Sequence, residues 1–228
     1  MDADAAIDAA HAAGRALLAS FGQLTGSDIS SKSHRRDLVT SADLEAERIL
    51  AAALRAAYPG DAIRSEEVVN ERGDREWIVD PLDGTVNFVH GIPLFAVSLG
   101  LFEHGRPLLS VIHLPVLGET YHAAAGQGAW RGEQRLKVSK TIDLADAVLA
   151  TGFPYRREHL ADNNLARFNA VFNRVRGLRR MGSACIDLAW TAAGRIDGFW
   201  EVHLEPHDVA GGALLVREAG GIVTDLAG

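Results

Sequence analysis

Cysteine, positive charge and long apolar runs are all in short supply in this 228-residue sequence. The single cysteine, Cys185, excludes an internal disulfide framework and a cysteine-based zinc site, and it fits a reducing compartment. Lysine and arginine number 23 against 30 aspartates and glutamates, for a formal net charge of -7. No basic footprint results, which argues against a nucleic-acid backbone as the main ligand. No apolar stretch approaches membrane-spanning length, so no membrane association is expected. The start, Met1-Asp2-Ala3-Asp4, is acidic and lacks the basic region and apolar core of a signal peptide, so a cytoplasmic protein is expected. There is no internal repeat and no low-complexity linker. What remains, 47% hydrophobic and 23% charged residues, is the composition of a folded chain with one large core or two modest domains.

Periodicity divides the chain into two patterns. In the first, Ile7, Ala10, Leu17 and Phe21 recur at helical spacing and predict a helix over 3–21. A second helix follows Thr40, whose spacing to Asp43 resembles a capping box, and stops at Tyr58-Pro59-Gly60. Extended segments are expected at 63–67, 77–79, 94–102, 107–114, 119–123 and 135–138, with a hairpin signal at Glu103-His104-Gly105-Arg106. This section is antiparallel in character. From about 139, strands at 147–151, 177–180, 198–201 and 222–224 alternate with helices at 160–173, 184–193 and 209–219. Such alternation argues for a second, more parallel α/β layer. The expected organisation is an α+β unit over 1–138 followed by an α/β unit over 139–228.

The chemistry concentrates at Trp77-Ile78-Val79-Asp80-Pro81-Leu82-Asp83-Gly84-Thr85. A short apolar run with strand character leads into turn-forming residues, so Asp80 and Asp83 are expected together where a strand ends. Two carboxylates that close repel unless protonated or bridged by a cation, and a hard divalent ion such as Mg²⁺ is the natural bridge. Gly84 permits close backbone approach and Thr85 adds a hydroxyl, which suits a phosphate group. Asp-Gly is also the commonest turn dipeptide, and a plain surface turn fits the same residues.

Other candidates have equally plain alternatives. Asp43 reads as a helix-start acid, Lys32 as a solvated lysine, and Asp208 as an N-terminal acid on a helix whose Ala/Gly-rich first turn admits close packing. Glu66 and Glu67 are adjacent in an extended segment and point to opposite sides, so at most one of the two faces the Asp80/Asp83 corner.

Taken together, Asp80-Pro-Leu-Asp83-Gly84-Thr85-Val-Asn87-Phe88, His207-Asp208-Val-Ala-Gly211-Gly212 and Glu218-Ala-Gly-Gly221 resemble the inositol monophosphatase family of Mg²⁺-dependent, lithium-sensitive phosphatases. Leu38-Val-Thr-Ser-Ala-Asp43, Ser65-Glu66-Glu67 and Gly182-Ser-Ala-Cys185 also look like family motifs. The likeness runs from about Lys32 to the end of the sequence. It implies a layered αβαβα sandwich, two or three Mg²⁺ ions, a small phosphorylated substrate and a homodimer. By the same resemblance, Glu66, Asp80 and the Leu82 carbonyl hold one metal, while Asp80, Asp83 and Asp208 hold a second. Thr85, oriented by Asp43, and with Glu66 nearby, serves the attacking water; the Gly84 and Thr85 amides hold phosphate. Lys32 matches a basic position at the entrance. Gly182, Ser183, Ala184 and Glu201, with Asp83 and Asp208, match contacts to the alcohol.

Three departures stand out. His207 replaces the usual tryptophan before Asp208, with packing the favoured role over catalysis, and Cys185 replaces a common alanine. The resemblance also implies further strand and helix structure after Gly228, so either the sequence is shortened or the second unit is expected to have an open sheet edge. The expected function is hydrolysis of a sugar- or polyol-phosphate monoester by metal-activated water, with myo-inositol 1-phosphate the default substrate. Histidinol phosphate, fructose 1,6-bisphosphate and a 3'-phosphonucleotide are alternatives within that chemistry. A different class is also open: an interaction module of a transcription complex that keeps a vestigial phosphatase site.

Overall fold

A sheet strand whose successive residues are all buried must be covered on both faces, and residues 96–101 of one strand are of that kind. The computed structural model describes residues 3–32, 34 and 36–228. Met1 and Asp2 of the acidic start, and Ser33 and Arg35 of the polar segment beside Lys32, lie outside the described residues. In chain order the elements are α1 (Asp4–Ser20), β1 (Ile29–Ser31), β2 (Leu38–Thr40), α2 (Ser41–Ala57), β3 (Ala62–Ser65), β4 (Arg75–Asp83), α3 (Thr85–Val89), β5 (Ala96–Glu103) and β6 (Arg106–Leu114). They continue with β7 (Glu119–Ala124), β8 (Gly128–Arg131), β9 (Gln134–Arg135), β10 (Val148–Thr151), α4 (Leu165–Phe172), β11 (Gly177–Arg179), α5 (Ala184–Ala192), β12 (Gly198–Trp200) and α6 (Pro206–Glu218).

The protein is a layered α/β sandwich. Seven strands form the main sheet in the order β3-β4-β5-β6-β7-β8-β9, parallel between β3 and β4 and antiparallel from there on. The helices α1 and α2 cover one face, where Leu17, Leu50 and Leu54 meet Trp77, Val79, Leu99 and Val111. On the other face, Ile186 of α5 and Leu215 of α6 join Ile112 and Tyr121. A second, parallel sheet, β11-β10-β12, packs beyond α5. Burial of apolar side chains on both faces of the main sheet is the dominant favourable term, at about 25 cal/mol per Å².

Most expected elements form, and the exceptions have local causes. The partner of β7 is β8, a strand that lies between the expected segments 119–123 and 135–138. Gly128, at φ 84, closes a tight turn in which Gln127 N donates to Ala124 O at 2.9 Å, so the chain re-enters the sheet at once. Val138 instead donates its N–H to Ala219 O at 3.1 Å, which takes that segment out of the ladder. Residues 160–164 are not helical, because Asn164 is left-handed, φ 73, and its side chain is tied to Thr151 and Gly152. Residues 222–224 form no strand: Gly221 N turns back to Val216 O at 2.9 Å, and β12 is left as the edge of its sheet.

Candidate active site

In a regular strand, residues three apart point to opposite faces. Asp80 and Asp83 are three apart at the end of β4, yet their pairing with β5 slips: Asp80 lies opposite Ser98 while Asp83 lies opposite Ala96. The extra residue of this bulge brings both carboxylates to one side. Gly84 then reverses the chain at φ 96, in a place where a Cβ would sit 3.0 Å from the Leu94 carbonyl. Asn87 pins the turn that follows by donating to Leu94 O and Met181 O, both at 2.7 Å.

Asp208 arrives from the other half of the chain. It stands in the first turn of α6, where it accepts from Glu205 N at 2.6 Å. The helix reaches the sheet closely because small residues face each other. A Cβ on Gly100 would lie 2.7 Å from Ala210 O, and one on Gly211 would lie 2.3 Å from Ser98 Oγ. Carboxylate oxygens of Asp80, Asp83 and Asp208 consequently all lie within 4.8 Å of one another. With Lys32, Thr85 and Tyr155 they line a cleft of about 560 Å³.

The surrounding hydrogen bonds fix the orientation of these groups. Asp80 accepts from Leu82 N at 3.1 Å. Asp83 accepts from Ser183 Oγ and Cys185 N, each at 2.6 Å, so it binds the first turn of α5. Asp43 is completely buried and accepts from Thr40 N at 2.9 Å and Thr40 Oγ1 at 2.5 Å, the expected capping box. Its other oxygen lies 3.1 Å from Thr85 Oγ1, which is equally 3.1 Å from Leu82 O.

Burial and mutual repulsion dominate the electrostatics. Burial, then the charges of Glu66, Asp83 and Asp208, hold the Asp80 carboxyl well above the usual range. Burial followed by Asp83 pushes Asp208 up to about 8. Asp83 is also raised by burial, against the opposing bonds from Ser183 and Cys185, and Asp43 by burial against Thr40 and Thr85. Among the described residues no lysine or arginine pairs with these three acids, and such a cluster is a donor set suited to a hard divalent metal.

Glu66 lies beside this corner. Lys32 Nζ binds Glu66 at 2.7 Å and Glu67 at 2.6 Å. Burial opposes the lysine's charge, but the two glutamates outweigh it and hold the ammonium protonated above its ordinary range. With Glu66 given to the metal by resemblance, strand alternation makes Glu67 the outward neighbour, and it is not. Its side chain is the less exposed of the pair, 5% against 22%, because β3 ends at Ser65 and the alternation rule ends with it. The bend is shaped by Glu47, whose carboxylate accepts from the N–H groups of Glu67, Val68 and Val69 at 2.9–3.1 Å.

The residues expected to touch the alcohol are set deeper. Ser183 is buried against Asp83, and Gly182, at φ 83, lies against Asn87. Ala184, buried, begins α5. Glu201 lies against Gly152, where a Cβ would come within 2.0 Å of its carboxylate, and burial pushes it up to about 7. It lines a neighbouring cavity and is not part of the cleft wall. Behind Glu201, burial and then Asp83 push Asp187 up to about 8. His207 lines the cleft 3.9 Å from Glu66 and 3.8 Å from Asp208, too far for a hydrogen bond, and burial holds it below the ordinary histidine range. Cys185 is fully buried, in keeping with packing.

Sequence reading missed Glu47, Asp187 and Tyr155. Glu47 had a signal, since it falls on the apolar stripe of α2 among Ala46, Leu50 and Leu54. Asp187 had one too, as an acid inside the apolar run of α5. Tyr155 had none, because its loop has no periodicity.

A sequence profile described as the inositol monophosphatase family matches residues 2–228. An inositol-1-monophosphatase of Mesorhizobium japonicum is 45% identical over 225 residues, covering 97% of this chain and 84% of that protein. A Nus factor SuhB of Pseudomonas aeruginosa is 44% identical over 230 residues, covering 98% of this chain and 84% of that protein. The crystal structure of the extragenic suppressor protein suhB from Bartonella henselae superposes with a TM-score of 0.92 at 42% identity, over 97% of this chain and 86% of that one.

Proposed function

We propose, on the premise that this chain belongs to the inositol monophosphatase family and is with it a phosphomonoesterase, that it hydrolyses a phosphate monoester of a hydroxyl-rich cyclic alcohol, with myo-inositol 1-phosphate the default substrate. The observation that carries this reading is the Asp80–Asp83–Asp208 cluster, within 4.8 Å, in one cleft with Thr85. Glu66, Asp80 and the Leu82 carbonyl would hold one Mg²⁺, and Asp80, Asp83 and Asp208 a second, within a set of two or three. Bound there, Mg²⁺ would supply balancing charge, an activated water near neutral pH and stabilisation of the leaving oxygen.

The chain's own residues supply position. The Thr85 hydroxyl has one proton for two acceptors, and the carboxylate of Asp43 is the stronger of them. That choice turns an oxygen lone pair of Thr85 toward the cleft to accept from a water, and leaves the Leu82 carbonyl available as a ligand. Gly84 and Thr85 would present amides to the phosphate. Lys32, held by Glu66 and Glu67, adds positive charge at the entrance. The alcohol would meet Asp83 and Asp208, which line the cleft, while Glu201, Gly182, Ser183 and Ala184, also expected to touch it by resemblance, are set deeper than the cleft wall.

The charged form of Glu201 favours hydroxyls over a second phosphate, because a carboxylate repels added negative charge. Histidinol phosphate, fructose 1,6-bisphosphate and a 3'-phosphonucleotide remain the competing substrates, and kcat/KM across these esters decides among them. A higher value on the bisphosphate than on inositol 1-phosphate would sink the polyol reading. The units 1–138 and 139–228 are proposed to meet at the cleft, and the protein to act as a cytoplasmic homodimer, which sedimentation of the purified chain checks.

A second reading, participation in a transcription complex, is supported by similarity to proteins named Nus factor SuhB, at 44% and 41% identity. An Asp83→Asn protein separates the two roles. A partner role survives the substitution in a pull-down, whereas phosphate release does not.

A further inference from the structure

Beyond the acidic floor, the cleft has one wall of a different character. Pro154, Tyr155 and Leu160 line it from the loop between β10 and α4. The other apolar lining residue, Leu82, is 1% exposed and offers no free face, whereas Tyr155 is 46% exposed. An exposed aromatic ring on the wall of a polar cleft presents a flat apolar face, while burial, then the charges of Asp83, Glu66 and Asp208, raise the Tyr155 hydroxyl above its ordinary range.

The loop that carries Tyr155 is anchored at both ends. At its base, Asn164 Nδ2 donates to Thr151 Oγ1 at 2.8 Å and Gly152 O at 2.6 Å, and Trp200 Nε1 donates to Asn164 Oδ1 at 2.8 Å. At its tip the anchor comes from the stretch between β1 and β2. Arg36 Nη1 donates to the Tyr155 carbonyl at 3.0 Å and to Glu158 Oε2 at 2.5 Å, and His34 Nε2 lies 3.1 Å from Glu158 Oε1. Arg36 lies four residues beyond Lys32, between β1 and β2, where Lys32 and Asp37 also line the cleft. One guanidinium therefore sets the position of the loop's backbone at the residue whose ring faces the site.

We infer that Tyr155 is a substrate-contacting, specificity-determining residue that stacks on the C–H face of a cyclic polyol or sugar ring, and that Arg36 is the positioning residue that holds it there through its carbonyl and Glu158. This rests on the monoesterase reading above and narrows it. A cyclic alcohol has an apolar face and a hydroxyl rim, and the cleft offers a matching pair of surfaces: Tyr155 for the face, Asp83 and Asp208 for the rim. A short, flexible alcohol has no such face to present.

The test compares inositol 1-phosphate with glycerol 2-phosphate on the Mg²⁺-loaded full chain. In Tyr155→Ala the ratio of kcat/KM for the two esters is expected to fall about tenfold, the size of a lost apolar contact in a binding pocket, through KM for the cyclic ester. Tyr155→Phe keeps the ring and most of the ratio. Arg36→Ala and Glu158→Ala each lower the ratio through KM for the cyclic ester, whereas Arg36→Lys, which keeps a cationic donor for the Tyr155 carbonyl and Glu158, retains most of it. Equal losses on both esters, or an unchanged ratio in Tyr155→Ala, overturn the inference. Wild-type protein that cleaves glycerol 2-phosphate as well as the cyclic ester overturns it and leaves the monoesterase reading standing; no phosphate release from any ester overturns both.

Discussion

Titrating Mg²⁺ into chelator-treated protein is expected to expel protons, and the structure sets how many. The oxygens of Asp80, Asp83 and Asp208 lie within 4.8 Å of one another. At an effective dielectric constant near 20, two charges at that separation repel by about 3.5 kcal/mol, which is about 2.5 pK units for each ionised neighbour. The cluster therefore holds protons at neutral pH when no cation is present, and Asp208 is pushed up to about 8. At pH 7 roughly nine molecules in ten then carry that proton. Because a ligating carboxylate must ionise, metal binding at pH 7 should release about one proton from Asp208, with more from Asp80. The apparent affinity should weaken about tenfold for each pH unit below 8 per proton released. Calorimetric titrations at pH 6, 7 and 8, each in two buffers of different ionisation enthalpy, give both the affinity and the proton count. Asp208→Asn should abolish one proton of the release and weaken binding. A proton count near zero at pH 7, with affinity independent of pH, would refute the electrostatic reasoning.

Asp187 has a raised carboxyl in the folded state, so its contribution is present below about pH 4 and is lost as pH rises through about 8. In chelator, urea unfolding should show wild-type stability declining over that window relative to Asp187→Asn, by at most about 6 kcal/mol. Glu47→Ala removes the acceptor for three N–H groups of residues 67–69. It should cost roughly 2–3 kcal/mol, a fall in Tm of roughly 4–12 °C by calorimetry. Gly84→Ala forces a side chain into φ 96 against the Leu94 carbonyl. A strain of about 1–2 kcal/mol at the corner that sets Thr85 should lower kcat by on the order of tenfold or more in steady-state assays, while the fold survives.

The order of elements could be read from the sequence because apolar periodicity and capping chemistry act locally. Thr40 and Asp43 signal the start of α2 from three residues apart, and the bonds they make are those of the capping box. The proximity of Asp80 and Asp83 could be anticipated from the strand end, but the reason for it could not. It depends on a one-residue slip against β5 that only the partner strand reveals. Bringing Asp208 to them depends on Gly100 and Gly211 admitting α6 against the sheet, a contact between segments more than a hundred residues apart. Glu67 shows the converse failure. Strand alternation was extended past the point where the strand ends, and Glu47 on another helix decides which way the bend turns. Tyr155 could not be found at all, since a loop's place is fixed by its anchors, here Arg36 and Asn164.

The central claim is that the acidic corner between β4 and α6 is a metal-dependent site of phosphate-ester hydrolysis. Phosphate release from inositol 1-phosphate, measured with Mg²⁺, with chelator, and with Asp83→Asn protein of matched thermal stability, tests it most directly. The account predicts turnover with Mg²⁺, none above background in chelator, and a loss of at least a hundredfold, roughly the 2.7 kcal/mol that one such charged group supplies to a transition state, in Asp83→Asn. Undiminished turnover in chelator or in the variant would contradict it.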